Sequence, residues 1–385
     1  MADIECLKPK DILITRVISD DVARNQVMVT MADIASKAGV SRTAVSHVLN
    51  DRQQENTRIS DVTRQRILDV AQDLGYRPNQ LARAVASGKT RMFGYLVEEP
   101  RYEPHWNTIV GALAEAEELG FSMKVLSITT ATLAARVRQC IELRLGGLIV
   151  RVNNDKSLIF EEANRAKIPV VTVDEGVPQP FGSRVAADDA SGCREVIDHL
   201  TQMGHRRIGF ISSGFPQLNN TNGDVGSVRE ALFRREMEAH GLPVPDGFIT
   251  RDVVNVYGTA REKTFDDSSA VVATDDLLSH PEGRPTAIFC WRDETALLAL
   301  RQCRRRGLRV PEDISVIGFS DIDATQLCDP SLSTVVSPWE QMGRLAMQKL
   351  SVQMTQEFSS EPRAYLVPSE FTARQSSGPA PAAVS

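Results

Sequence analysis

The spacing of hydrophobic and polar positions changes sharply along this chain. Between residues 30 and 74 the apolar residues recur at helical intervals. Ile34, Ala35 and Ala38 form one stripe, Ala44, Val45, Val48 and Leu49 a second, and Val62, Ile67, Leu68, Ala71 and Leu74 a third. Thr30 with Asp33 has the spacing of a capping box, and Ser41 and Ser60 stand where the second and third helices would begin. Gly39 permits a sharp turn after the first helix, and Gly75 closes the third. The pattern predicts three short helices around a small core, the first two forming a helix-turn-helix.

From Met92 the regime is different. Strand-like runs (MFGYLV, SMKVLSI, GGLIVRV, IPVVTV, RVAAD, RIGFIS, FITRDVV, TAIFCW, ISVIGFS) alternate with helical runs at 107–119, 132–143, 157–166, 190–203, 226–240 and 294–306. Such alternation predicts parallel sheets with helices on both faces, and there are too many strands for one ordinary sheet. Two doubly wound parallel sheets, with a cleft at their carboxyl ends, are the simple solution. The predicted class is therefore α + α/β: a helix-turn-helix domain at 28–76, a hinge and linker at 77–90, and a two-lobed body at 91–377. Lobe 1 is expected at about 91–186 and 336–364, and lobe 2 at about 187–335 and 365–377. Residues 1–27 read as an extension and the Pro/Ala/Ser-rich 378–385 as a tail, both disordered.

Charge sharpens this division. The chain of 385 residues carries a formal net charge of −6, which alone would argue against a nucleic-acid binder. Residues 29–90, however, hold nine Lys and Arg against six Asp and Glu, so this segment is +3 and the remainder −9. A small basic module on an acidic body suits DNA binding without unspecific adhesion by the body. The six cysteines lie far apart with no CxxC, which suggests reduced, buried thiols and neither a zinc site nor a disulfide framework. No apolar run is long enough for a membrane span, and the N-terminal stretch holds acids at Asp3, Glu5, Asp20 and Asp21, unlike a signal peptide, so a cytoplasmic protein without membrane partners is expected. There is no G-x-S-x-G, HExxH or P-loop, the six histidines are scattered, and no enzyme activity or cofactor is expected.

On the predicted second helix, Arg42, Thr43, Ser46 and His47 share the face opposite the apolar stripe, with Asn50 just beyond. An ordinary helical hairpin with a polar outer face has the same local pattern. What separates the two readings is the longer run D-I-A-x-x-A-G-V-S-x-x-x-V-S-x-V-L-N from Asp33, followed by G-Y-x-P-N-x-x-A-R from Gly75. With these, residues 29–90 resemble the DNA-binding headpiece of the lactose/galactose-repressor (LacI/GalR) family of bacterial transcription regulators.

The resemblance implies roles residue by residue. Arg42, Thr43 and His47 would read base edges, while Thr30, Ser41, Ser46, Asn50, Ser60, Tyr76 and Asn79 would hold phosphates. Arg83 and Val85 fall in the family's hinge helix, where Val85 takes the place of a minor-groove Leu wedge and would unstack less of the base step. The body matches the family's sensor at Leu200–Phe210, Pro285–Phe289 and Gly307–Phe319, a domain similar to periplasmic sugar-binding proteins. Asp174, Arg229, Trp291, Arg292, Asp293 and Ser320 would line its effector pocket. Arg292 replaces a neutral residue of the family pattern and Ser320 an Asp. An Arg gained and an Asp lost favour an anionic effector, with a neutral sugar or nucleoside and a degenerate pocket as the other readings.

The resemblance further implies a homodimer on a palindromic operator, since one headpiece reads only a half-site. A soluble sugar-binding protein of transport and an enzyme on the α/β body are the rival classes. The headpiece speaks against the first and the lack of a nucleophile–base pair against the second.

Overall fold

The computed structural model describes residues 29–49, 59–77, 90–152, 156–173, 182–214, 225–252, 268–355 and 363–382. The chain divides into two compact units, Met1–Ser87 and Gly88–Ser385.

In the first unit, helix α1 (Met31–Ala38) opens on Thr30, whose Oγ1 accepts from the Asp33 amide at 3.4 Å. The Asp33 carboxylate takes the Thr30 amide in return at 2.8 Å, completing the capping box. These bonds hold the Asp33 carboxyl below its usual range. Gly39 closes the helix at φ 65°, a left-handed conformation that favours glycine. Ser41 Oγ accepts from Ala44 N at 3.1 Å and starts α2 (Arg42–Leu49). Ser60 Oγ likewise accepts from Thr63 N at 3.3 Å and starts α3 (Asp61–Asp73). The three helices bury Ile34, Ala35, Ala38, Val45, Val48, Ile67 and Ala71, with Leu49, Leu74 and Tyr76 packed at the edge. The stripe expected on α3 is narrower than the sequence suggests: Val62 is 79% exposed and Leu68 40%. Two eight-residue partners cover the face carrying Ile67, Val70, Ala71 and Leu74, and positions 62 and 68 fall outside that arc.

The second unit begins with β1 (Met92–Val97), α4 (Glu103–Glu118), β2 (Ser122–Ser127), α5 (Leu133–Glu142), β3 (Leu148–Arg151), α6 (Ser157–Arg165), β4 (Val170–Val173) and β5 (Ser183–Asp188). It continues with α7 (Asp189–Gln202), β6 (Ile208–Ser213), α8 (Val225–Ala239), β7 (Ile249–Asp252), α9 (Ser268–Leu278), β8 (Ala287–Cys290) and α10 (Asp293–Arg305). It ends with β9 (Ser315–Ser320), α11 (Ala324–Leu327), β10 (Ser333–Val336), α12 (Trp339–Thr355), β11 (Arg363–Pro368) and β12 (Glu370–Thr372).

Two six-stranded sheets result, ordered β11-β5-β4-β3-β1-β2 and β12-β10-β9-β8-β6-β7. Every pairing is parallel except β10 with β12. The strand order reverses between β1 and β3 in lobe 1 and between β6 and β8 in lobe 2. At such switch points the outgoing helices diverge to opposite faces and leave a crevice at the carboxyl ends of the strands. Both faces of each sheet are covered, so the central strands β3, β4 and β8 are buried along their whole length. Helix α12 lies against α4 so closely that a Cβ at Gly111 would strike the Glu340 backbone, and one at Gly343 the Thr108 backbone.

The structure shifts several expected boundaries. β5 runs to Asp188 and β11 to Pro368, both in the lobe 1 sheet, so the last crossover between lobes falls at Ser369, not near 364. Helix α9 has no counterpart in the sequence reading. Its buried face is Ala270, Ala273, Thr274 and Leu277, while Val272 on the other side is 57% exposed, so its hydrophobic pattern is scrambled. The tail expected to be disordered from 378 is placed as far as 382. Gly378 N donates to Ser315 Oγ at 3.1 Å, and the buried His205 holds Gly378 O at 3.0 Å. No helix among the described residues is long and apolar enough to cross a membrane.

Candidate functional site

The first candidate surface is α2. Because Val45 and Val48 face the core, Arg42 and Thr43 are exposed and Ser46 and His47 half-buried on the outer side. Four polar side chains with short or flexible reach therefore share one flank of a helix that follows a left-handed turn. Ser41, Thr30 and Ser60 are helix-capping residues with exposed hydroxyls, a role compatible with contact to a phosphate at the same helix N-termini. Tyr76 is half-buried against the three-helix core. Asn50, Asn79, Arg83 and Val85 lie outside the described residues.

The second candidate is the strand-end crevice of the body. In lobe 2, Arg229 on α8 is only 1% exposed. Its Nε donates to Asp189 Oδ2 at 2.9 Å, its Nη1 to Trp291 O at 2.6 Å, and its guanidinium lies 3.5 Å from the Phe319 ring centroid. Gly226 permits this approach, since a Cβ there would collide with Ser213 at the end of β6. Arg292 follows β8 and is 4% exposed. It stacks 4.5 Å above Trp291, and its charge faces Asp252 Oδ2 at 3.7 Å and Glu294 Oε2 at 4.0 Å. Asp252 is itself held by Thr295 Oγ1 at 2.5 Å and Ser269 Oγ at 2.8 Å. The negative partners that the sequence reading left to a ligand are thus present in the chain, on α7, β7 and α10.

Asp293 is fully buried and turns from Arg292 toward β9 and β10. Its carboxylate accepts from Ile322 N at 3.0 Å and Thr334 Oγ1 at 2.5 Å. Gly318 makes room for it, because a Cβ at 318 would meet Asp293 Oδ1. Burial outweighs these bonds and, with nearby Glu294 and Asp321, pushes the Asp293 carboxyl up to about 7. Ser320 and Asp321, at the end of β9 and just after it, have φ of 124° and 59°, a strained turn at the crevice. Ser320 O accepts from Trp339 Nε1 at 3.2 Å, and the Arg151 guanidinium at the end of β3 lies 4.9 Å from the Trp339 ring. Asp174 lies outside the described residues.

Lobe 1 meets this edge through α4. Glu103 Oε1 accepts from Asp323 N at 2.8 Å, a direct bond between the lobes. Burial raises the Glu103 carboxyl, and the charges of Asp323, Glu294 and Asp321 add to the rise. His105 is buried, with Nδ1 2.7 Å from Glu98 O. Desolvation and the charge of Arg151 push it down to about 3, so it stays neutral. Among the described residues no cluster of three or more His, Cys, Asp or Glu could hold a metal ion. Sequence reasoning missed Asp189, Asp252, Phe319 and Trp339. A signal existed for Asp189, the second acid of A-A-D-D at the end of a strand, and for Asp252, which ends F-I-T-R-D.

Comparison with known proteins agrees with this geometry. Residues 30–79 match the family of bacterial regulatory proteins, lacI family, and residues 197–377 a periplasmic binding protein-like domain. The chain is 30% identical over 322 residues to the HTH-type transcriptional regulator DegA of Bacillus subtilis, covering 82% of this chain and 88% of that protein. It is 28% identical over 356 residues to the HTH-type transcriptional repressor PurR of Photobacterium profundum, covering 91% and 98%. Among solved structures, the lac repressor dimer bound to operator and the anti-inducer ONPF superposes with a TM-score of 0.73 at 21% identity, over 91% of this chain and 99% of that one. The transcriptional regulator CelR in complex with cellobiose gives 0.62 at 25% identity, over 90% and 99%.

Proposed function

Because this chain belongs to the lacI family of bacterial regulatory proteins, a family of DNA-binding transcription regulators with an effector domain, we propose that it represses transcription as a homodimer on a palindromic operator and is released or fixed there by a small molecule in the crevice. The observation that carries the DNA side is α2, which displays Arg42 and Thr43 to solvent at the end of a well-capped helix-turn-helix. Arg42 would grip a guanine edge bidentately, with Thr43 and His47 beside it and the hydroxyls of Thr30, Ser41 and Ser60 on phosphates. Arg42→Ala should weaken operator binding by about 1–3 kcal/mol and relax preference at one base pair per half-site. Equal losses on operator and random duplex, measured by fluorescence anisotropy at fixed salt, would reduce Arg42 to a phosphate contact.

Support for a homodimer comes from α4. Its inner face packs on α12, yet Trp106, Val110 and Leu113 on its outer face are 54%, 37% and 50% exposed. An apolar stripe at i, i+4, i+7 is what a second copy would cover. For the effector, the charge pairing of Arg229 and Arg292 supports a ligand that requires no free guanidinium. The anionic effector favoured by the residue pattern alone would have to break those pairs.

A further inference from the structure

We infer that His240 and Asp198 form a proton-operated latch between α7 and α8: protonated, His240 ties the carboxyl-terminal ends of the two helices together, and deprotonated it lets them part. Helices α7 and α8 lie side by side and run in the same direction, because their charge contacts advance together along both. Arg229 Nε meets Asp189 Oδ2 at 2.9 Å at the crevice end, Arg194 Nε lies 4.0 Å from Glu236 Oε2 farther along, and His240 Nε2 lies 2.8 Å from Asp198 Oδ1 at the far end. The first pair is buried, whereas the Asp198 side chain is 43% exposed and that of His240 26%. Of these three contacts only the last holds a group whose ordinary titration lies near neutral pH.

Both ring nitrogens of His240 face acceptors. Nδ1 lies 2.8 Å from Glu236 O, one turn back on α8, and Nε2 faces the Asp198 carboxylate. A neutral imidazole carries one N–H and can donate to only one of them, which leaves the lone pair of the other nitrogen against an oxygen. The imidazolium donates to both. His240 also directly follows Ala239, the last residue of α8, where the helix dipole favours a positive charge. The charged groups that face the ring are Asp198 from α7 and Glu236 from α8, both acids. The Glu236 carboxylate is itself held by Arg235 at 2.7 Å.

The Glu236 carbonyl foremost, and then Asp198, raise the His240 imidazole above its ordinary 6.5 against the opposing effect of burial. Burial instead lowers His199 on α7 and His205 just beyond it, so neither duplicates the latch. A folded-state value above the unfolded one gives a contact fully present below about pH 6.5 and lost as pH rises through the raised value. The same pair of helices carries Asp189 and Arg229, so proton binding stiffens, from its far end, the unit that supplies the crevice with a buried guanidinium.

The test uses full-length protein with ring-13C-labelled histidine, and His240→Gln identifies the His240 signal among the six histidines. Its titration midpoint should lie above 6.5 and fall back toward it in Asp198→Asn, which keeps the shape of the side chain and removes the charge. Deuterium exchange of the backbone at 196–203 and 236–243 reads the latch itself, with wild type and Asp198→Asn compared at one pH so that intrinsic exchange rates cancel. The variant should exchange roughly two- to fivefold faster at pH 6, the worth of an exposed ion pair, and at the wild-type rate at pH 8.5. A His240 midpoint at or below 6.5, or one that Asp198→Asn leaves in place, would overturn the latch. So would exchange equal to wild type at pH 6, or faster by the same factor at both pH values, which would make Asp198 a structural contact alone.

Discussion

Asp293 illustrates how much of this protein's chemistry depends on a single buried group. Its neighbours Ile322 N and Thr334 Oγ1 donate to it, yet removal from water dominates and carries its carboxyl from 3.8 to about 7. A folded-state value raised above the unfolded one gives stability that is fully present below about pH 3.8 and lost as pH rises through about 7. Asp293→Asn keeps the shape but cannot ionise. Its melting temperature relative to wild type should therefore be higher at pH 8 than at pH 5, and a difference independent of pH would refute the shift. At this scale the sequence was informative about identity but not about partners. It singled out Arg229, Arg292 and Asp293, but Asp189 lies 40 positions from Arg229. Asp252 lies as far from Arg292, at the end of β7, so no local pattern links either pair.

At the scale of elements, capping residues and apolar stripes were legible wherever one face dominates. Thr30, Gly39, Ser41 and Ser60 mark the three N-terminal helices correctly because capping is a local interaction. Helix α9 was not legible, since its buried line contains Thr274 and its exposed side Val272. The three-helix core is small enough that one side chain matters. Ile67 is wholly buried between α1 and α2, and Ile67→Ala should destabilise the headpiece by about 2–5 kcal/mol. Circular dichroism melts of the full chain should then show an early transition, whereas a melt like that of wild type would mean the core is held elsewhere. On α4, Leu113→Asp places a charge in the exposed stripe without touching the α12 face. Sedimentation should show self-association weakened roughly tenfold or more, as expected when a charge must be buried at an interface. An unchanged equilibrium would move the dimer contact off α4.

For the whole molecule, strand–helix alternation was enough to give two doubly wound lobes, because parallel sheets buried on both faces leave an unmistakable apolar rhythm. What it could not give was the state of the crevice. The lobes are tied by Glu103 to Asp323 N and by Trp339 to Ser320 O, with Glu294, Asp321 and Asp323 crowding the Glu103 carboxylate. A ligand that binds one lobe arrangement better than the other shifts their balance by no more than its differential affinity. That limit connects the crevice to DNA affinity without requiring any new contact at the headpiece.

The central claim, a sequence-specific regulator that reads paired half-sites through α2, is tested most directly by selection of bound duplexes from a random DNA pool with the full-length protein. An inverted repeat should emerge, bound at least ~10³-fold more tightly than random duplex at physiological salt. The Arg42→Ala protein, put through the same selection, should return the repeat with one position per half-site relaxed. Recovery of no common sequence, or of one that the Arg42→Ala protein selects unchanged, would contradict the account.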